Sequence, residues 1–154
     1  MKYIAFYFPH FPSREENNRW WGHQFTDWEL VQAAQQYTEE QRQPRIPLNN
    51  NYYDLTEAEV IAWQTQLAKK YGLGGFNFYH YWFDGKLLLG KPMELFLANP
   101  NNNLNFCITW ANETWTKQWI GSSEILMEQK HLNDKDLWQQ HFDYLLPFFK
   151  DPRY

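Results

Sequence analysis

Two short apolar segments set the tightest limit on what this chain can fold into. One is Phe76-Asn77-Phe78-Tyr79, entered through Gly74-Gly75, and the other runs from Leu104 to Trp110. They stand about 30 residues apart, the length of one βαβ unit. Between them, Pro92 to Ala98 reads as a short helix with proline in its first turn. A strand, a helix and a strand at that spacing pair in parallel through a crossover. The alternation extends both ways. Lys2 to Phe8 reads as a first strand, stopped by Pro9 and Pro12. Thr26-Asp27-Trp28-Glu29 has the form of a capping box and opens a helix to about Tyr37. Thr56-Glu57-Ala58-Glu59 is a second such box. The helix behind it carries Val60, Trp63, Leu67 and Tyr71 on one face, Lys69 and Lys70 in its last turn, and Gly72 as its stop. Ile125 to Glu128 is a short fourth strand. Asn133 or Asp134 caps a last helix with Trp138, Phe142 and Leu145, ending near Pro147.

The class is α/β, and the architecture follows from what is missing. A doubly wound sheet would carry a glycine-rich turn after its first strand. Here that turn is Pro9-His10-Phe11-Pro12, and no Walker motif occurs anywhere. The expectation is a (β/α)₈ barrel of TIM type. Such barrels take about 250 residues, and this chain has 154. It therefore reads as one domain, residues 1–154, forming the N-terminal part of a barrel.

Composition narrows the function. Nine Trp, ten Tyr and twelve Phe make the chain 20% aromatic, so a real core can form. Fourteen basic against 18 acidic residues give a net charge of −4, which argues against nucleic acid. No apolar run reaches the length of a membrane span. The first ten residues lack the form of a signal peptide, so the expected location is the cytoplasm. The one cysteine, Cys107, rules out an internal disulfide and reads as a small buried hydrophobe. The histidines 10, 23, 80, 131 and 141 show no His-Glu-x-x-His spacing. No metal or other cofactor is expected, and His141 reads as an ordinary residue on a polar helix face.

In parallel α/β folds, chemistry sits at the C-terminal ends of the strands. After the first strand come Tyr7, His10 and Trp20-Trp21-Gly22-His23. After the second come Tyr79-His80-Tyr81-Trp82-Phe83-Asp84. After the third come Trp110-Ala111-Asn112-Glu113-Thr114-Trp115, and after the fourth Glu128-Gln129-Lys130-His131. Each place offers an aromatic face beside hydrogen-bonding groups. That pairing suits a sugar, whose C–H face stacks while its hydroxyls are bonded. The plainer alternative is that these aromatics are core residues with satisfied polar tips. Glu113 lies between Trp110 and Trp115, and apolar neighbours raise a carboxyl pKa toward that of a general acid. Glu128 is its candidate partner, since glycoside chemistry typically uses two carboxylates.

Several stretches together resemble the WbsX family, also described as glycoside hydrolase family 99-like. They include Ala5-Phe6-Tyr7-Phe8-Pro9, Phe25-Thr26-Asp27-Trp28, Gln43-Pro44-Arg45-Ile46-Pro47-Leu48, Tyr79-His80-Tyr81-Trp82 and Trp110-Ala111-Asn112-Glu113. The resemblance runs the length of the chain. It implies a (β/α)₈ barrel acting on glycans, associated with bacterial surface polysaccharide such as lipopolysaccharide O-antigen. It implies either a glycosyltransferase or a hydrolase cleaving internal α-mannosidic bonds without a metal. One departure is that Phe8-Pro9-His10-Phe11-Pro12 stands where the family usually has Leu-Pro-Gln-Phe-His. Another is that the late Trp-Asn-Glu-Trp-like motif, source of the hydrolases' catalytic carboxylates, is absent.

The resulting expectation is a glycan-active protein. Tyr7, His10, Trp21, Tyr79, His80, Tyr81, Trp82, Trp110, Asn112 and Trp115 would contact sugar, and Glu113 and Glu128 are the candidate catalytic residues. The alternative is a non-catalytic sugar-binding half-barrel or an inactive remnant. A nucleotide-sugar-binding domain is a third reading; Arg14, Arg19, Arg42 and Arg45 are available for phosphate, but no glycine-rich helix start accompanies them. A half-barrel also exposes sheet edges and apolar faces, so a homodimer is expected.

Overall fold

The computed structural model describes residues 2–10, 26–118 and 121–154. It is a mixed α/β structure. Strand β1 (Ile4–Tyr7) leads to helix α1 (Asp27–Ala33), a 3₁₀ turn and helix α2 (Ala58–Lys70). Strands β2 (Gly75–Phe83) and β3 (Lys86–Leu88) precede helix α3 (Lys91–Ala98) and strand β4 (Asn105–Trp110). Short strands β5 (Trp115–Thr116) and β6 (Ile125–Met127) precede helix α4 (Lys135–Phe149).

The nine-residue β2 is the axis of the fold. It pairs in parallel with β1 on one side, Ile4 opposite Gly75 through Tyr7 opposite Phe78. It pairs in parallel with β4 on the other, Gly75 opposite Asn105 through His80 opposite Trp110. Residues paired across strands share a face, so the register sorts the side chains. Ala5, Phe76 and Phe106 lie on one face with Tyr7, Phe78 and Ile108. Phe6, Asn77 and Cys107 lie on the other with Tyr79 and Thr109. The first face builds the main core. Tyr7, Phe76, Phe78 and Phe106 pack there with Ile61 and Ala68 of α2, Met93 and Phe96 of α3, and Phe148 of α4. Phe78 and Phe96 are fully buried, 5.2 Å apart between ring centres. The second face has no such helical cover, and Phe6 is 68% exposed there although it stacks on Tyr79.

Helix ends follow from local chemistry. Behind α2, Gly72 takes φ +78°, its N–H bonds to Lys69 O, and the Leu73 N–H bonds to Ala68 O. This is a Schellman stop, and the left-handed residue is the expected glycine. Asp134 caps α4, accepting from the Asp136 and Leu137 amides. Arg153 ties the C-terminal segment to α3. Its guanidinium donates to the carbonyls of Phe96, Leu97, Asn99 and Asn102 and to Asp151, holding the Asp151 carboxyl below its usual range.

Several elements differ from the sequence expectation. Thr56 is not a cap: α2 starts at Ala58 behind Glu57, and the Thr56 amide bonds to Asp54 Oδ1. Thr26 does precede α1, but its side chain makes no cap bond and the helix stops at Ala33. Helix α4 runs through Pro147 to Phe149. Ile125–Met127 is a strand, yet it pairs antiparallel with β5 and does not join the parallel sheet. The connection from β4 to β6 carries the short strand β5 and no crossover α-helix among the described residues, so β6 folds back on β5 as a hairpin. Strand β3 also went unread. It folds back on β2 through Asp84-Gly85, both at positive φ, a type I′ hairpin turn. Cys107 is only partly buried, because its face lacks helical cover.

Gly75 and Gly72 separate two uses of glycine. A Cβ at Gly75 would sit 2.8 Å from the Asn105 carbonyl oxygen, whereas one at Gly72 meets nothing within 4 Å. Gly72→Ala should cost about 1 kcal/mol, from the left-handed backbone alone. Gly75→Ala should cost about 2–3 kcal/mol, because it wedges two backbones apart. Urea unfolding of the two variants checks this ranking; an equal loss would contradict it.

Candidate functional site

The predicted site residues divide between the two faces of the sheet. His80, Trp82 and Trp110 project toward α4. His80 is 2% exposed, and its Nε2 lies 2.8 Å from His141 Nε2. His141 therefore belongs to the interior of this cluster and is not an ordinary polar-face residue. Its ring lies flat on Trp82, 4.8 Å between centres, and edge-on to Trp110. Tyr144 stacks on the other side of His80 and donates to Glu94 of α3. One of the two Nε2 atoms must carry the shared proton. Whichever does, His80 Nδ1 remains buried without a partner among the described residues. A cleft of about 500 Å³ opens beside this cluster, lined by Trp82, Trp110, His131, Trp138 and His141 among others. The Trp110 indole N–H donates to the Trp82 carbonyl, so its polar end is used within the fold.

His10, Tyr79, Tyr81 and Trp115 gather on the other face. The Tyr81 ring meets Trp115 edge-on at 4.9 Å and His10 at 6.0 Å. Tyr79 stacks 6.3 Å from Tyr81. His10 lies flat on Phe8, and its Nδ1 is 3.6 Å from an Asp27 carboxylate oxygen. The Tyr81 phenol is held above its ordinary value, first by burial and then by Tyr79 and the Glu113 carboxylate. Glu113 thus faces this cluster electrostatically. Its carboxylate is exposed, so the enclosure between two tryptophans expected from the sequence does not form.

Tyr7 does not join either group. It is buried against α2, where its hydroxyl donates to Gln64, and burial pushes its phenol up. Asn112 is exposed, and its carbonyl accepts from His131 Nε2 at 3.0 Å. Glu128 is exposed on the facing arm of the β5–β6 hairpin and pairs with Lys130 at 3.4 Å. Trp21 lies outside the described residues. Among the described residues, no group of three His, Cys, Asp or Glu is placed to hold a metal ion, and no helix is long and apolar enough to cross a membrane. Sequence reading missed Asp84, Trp138 and His141. Only Asp84 carried a local signal, as half of an Asp-Gly turn.

The histidine pair makes stability pH-dependent. Burial lowers both pKa values below the ordinary 6.5, and the His141 charge lowers His80 further. The unfolded chain therefore takes up protons at these sites before the folded chain does. Stability is fully present above pH 6.5 and falls as pH drops below it. The urea midpoint should be lower at pH 5 than at pH 7, and the His80 ring resonances should not titrate in that interval. A midpoint unchanged between the two would contradict the pairing.

A family profile described as Glycosyltransferase WbsX matches residues 3–154. Two curated relatives, each called uncharacterized protein WxcX, come from two strains of Xanthomonas campestris pv. campestris. Both are 40% identical over 152 residues, covering 98% of this chain and 22% of the relative. The chain thus spans about a fifth of the length of the curated relatives it matches. No solved structure matches it. Nearly every residue falls within the family profile, and the chain belongs to the WbsX glycosyltransferase family, a family of carbohydrate-active proteins.

Proposed function

We propose that this chain forms the first β/α units of a (β/α)₈ barrel that acts on glycosidic bonds of bacterial surface polysaccharide. The observation that carries the reading is the sidedness of the sheet. Strands β1, β2 and β4 lie side by side in chain order, all parallel, and the helices α2, α3 and α4 pack on one face. In a barrel, that face is the outside and the other is the interior. The interior would then carry Phe6, Asn77, Tyr79 and Thr109. Its mouth, at the strand C-termini, would carry His10, Tyr81, Glu113 and Trp115. Asn77 and Thr109 bond to one another at 2.9 Å across the strands, the kind of satisfied polar pair a wet interior tolerates.

At this mouth, the part-exposed rings of Tyr79 and Trp115 offer faces on which a pyranose ring can stack, the buried Tyr81 backs them, and His10 and Glu113 offer hydrogen-bonding partners. Asp27 lies 3.6 Å from Nδ1 of His10, and an imidazole nitrogen can donate to or accept from a sugar hydroxyl. Glu113 is the group in position to accept from sugar hydroxyls or exchange a proton with them. His80, Trp82 and Trp110 then act as wall residues behind the site. The substrate class rests on the family membership and on this chemistry.

A second reading is that this chain binds glycans without turning them over. It is favoured by Glu128, whose carboxylate is engaged by Lys130 and leaves Glu113 without a clear second carboxylate on the hairpin.

Titration with oligosaccharides of O-antigen type, followed by calorimetry, tests both. Binding to the unaltered chain and at least about tenfold weaker binding by Glu113→Gln, near 1.4 kcal/mol, are expected. Equal affinity would remove Glu113 from the site, and affinity for a free nucleotide sugar alone would favour a donor-binding domain. Product formation by the chain itself would exclude binding without turnover.

A further inference from the structure

Glu113 sits on an exposed turn, yet the backbone on either side of it is tied down. His131 Nε2 donates to the Asn112 carbonyl at 3.0 Å. The Gln129 amide donates to Thr114 Oγ1 at 3.0 Å. These two bonds hold residues 112 and 114 against the segment that follows β6. That segment is fixed in turn by a residue 46 positions away. Asp84, in the β2–β3 turn, accepts from the Lys130 amide at 2.9 Å through Oδ2 and from the Leu132 amide at 3.3 Å through Oδ1. A carboxylate bridging two amides is a charge-assisted clasp, stronger than two neutral bonds. Between those amides, His131 adopts φ +51°, a left-handed conformation that a side chain rarely takes unaided. The clasp at Lys130 and Leu132 turns the backbone so that the His131 ring reaches Asn112.

We propose that Asp84 and His131 are positioning residues that set the place of the Glu113 carboxylate at the strand ends. Asp84 acts on the 130–132 segment, His131 carries that placement to Asn112, and Glu113 is the next residue. Neither side chain contacts the sugar. The function of the arrangement rests on the glycan reading above; the mechanical linkage does not.

Hydrogen–deuterium exchange on the whole chain tests the linkage without any ligand. In Asp84→Ala, the amides of Lys130 and Leu132 and of residues 112–116 should exchange about tenfold faster, while α2 and α3 keep their protection. His131→Ala should loosen 112–116 and leave the Lys130 amide protected. His131→Gln should restore the loop, because the Gln side-chain amide can donate to the Asn112 carbonyl in place of the imidazole. If Asp84→Ala fails to fold, Asp84→Asn gives the same reading, since its amide keeps one acceptor for two amides. Unchanged exchange at 112–116 in the Asp84 and His131 variants would overturn the proposal. So would loosening by His131→Ala that His131→Gln does not reverse. Failure of the unaltered chain to bind oligosaccharide would count against the glycan reading and leave these exchange outcomes to stand separately.

Discussion

Everything in this structure is hung from the parallel pairing of β2 with its two neighbours. Four register positions link β1 to β2 and six link β2 to β4. These ladders fix which side chains face the helices and which do not. Phe76 and Phe78 reach the core because their partners Ala5, Phe106, Tyr7 and Ile108 share their face. A shift by one residue would send Asn77 and Tyr79 into that core and Phe78 to the other side. Gly75 is part of this restraint. Its missing Cβ lets the start of β2 approach the Asn105 backbone closely.

The same register divides the aromatic residues into two working groups. Even-numbered residues of β2 build against α4, where Trp82, His141, His80 and Tyr144 form a stack closed by a shared proton. Odd-numbered residues, Tyr79 and Tyr81, face away from the helices and meet His10 and Trp115. The first group is enclosed beside α4; in the second, Tyr81 is buried while Tyr79 and Trp115 are part-exposed. Along β1 and just past its end the face turned from the helices is open, with Phe6 and Phe8 more than half exposed. Apolar and aromatic exposure on that scale at the sheet marks it as a surface made to be covered or to bind.

Much of the fold was legible because its signals were local. The spacing of the strands near 76 and 105, the glycine that ends α2, and the proline that opens α3 all act within a few residues. The errors arose where the deciding contact was distant or the pattern was cut short. The apolar pattern by itself ends β2 at Tyr79 and places Trp82 beyond the strand, which hides its parity with His80. Extending it to Phe83 would have assigned the two faces from sequence alone, because Asp84-Gly85 marks the turn. His141 had no local signal at all. Its role depends on His80, 61 residues earlier. Tyr7 looked like a strand-end residue, but its parity directs it inward to Gln64. For the candidate site, the right segments were visible, while the choice between the two faces required the register.

The central claim is that the face turned away from the helices is the working face. Chemical-shift mapping during oligosaccharide addition measures this directly. The account predicts that resonances of Tyr79, Tyr81, Glu113 and Trp115 move with added sugar while those of His80, Trp82 and His141 stay in place. Movement confined to Trp82, Trp110, Trp138 and His141 would put the ligand in the cleft beside α4 and contradict the account.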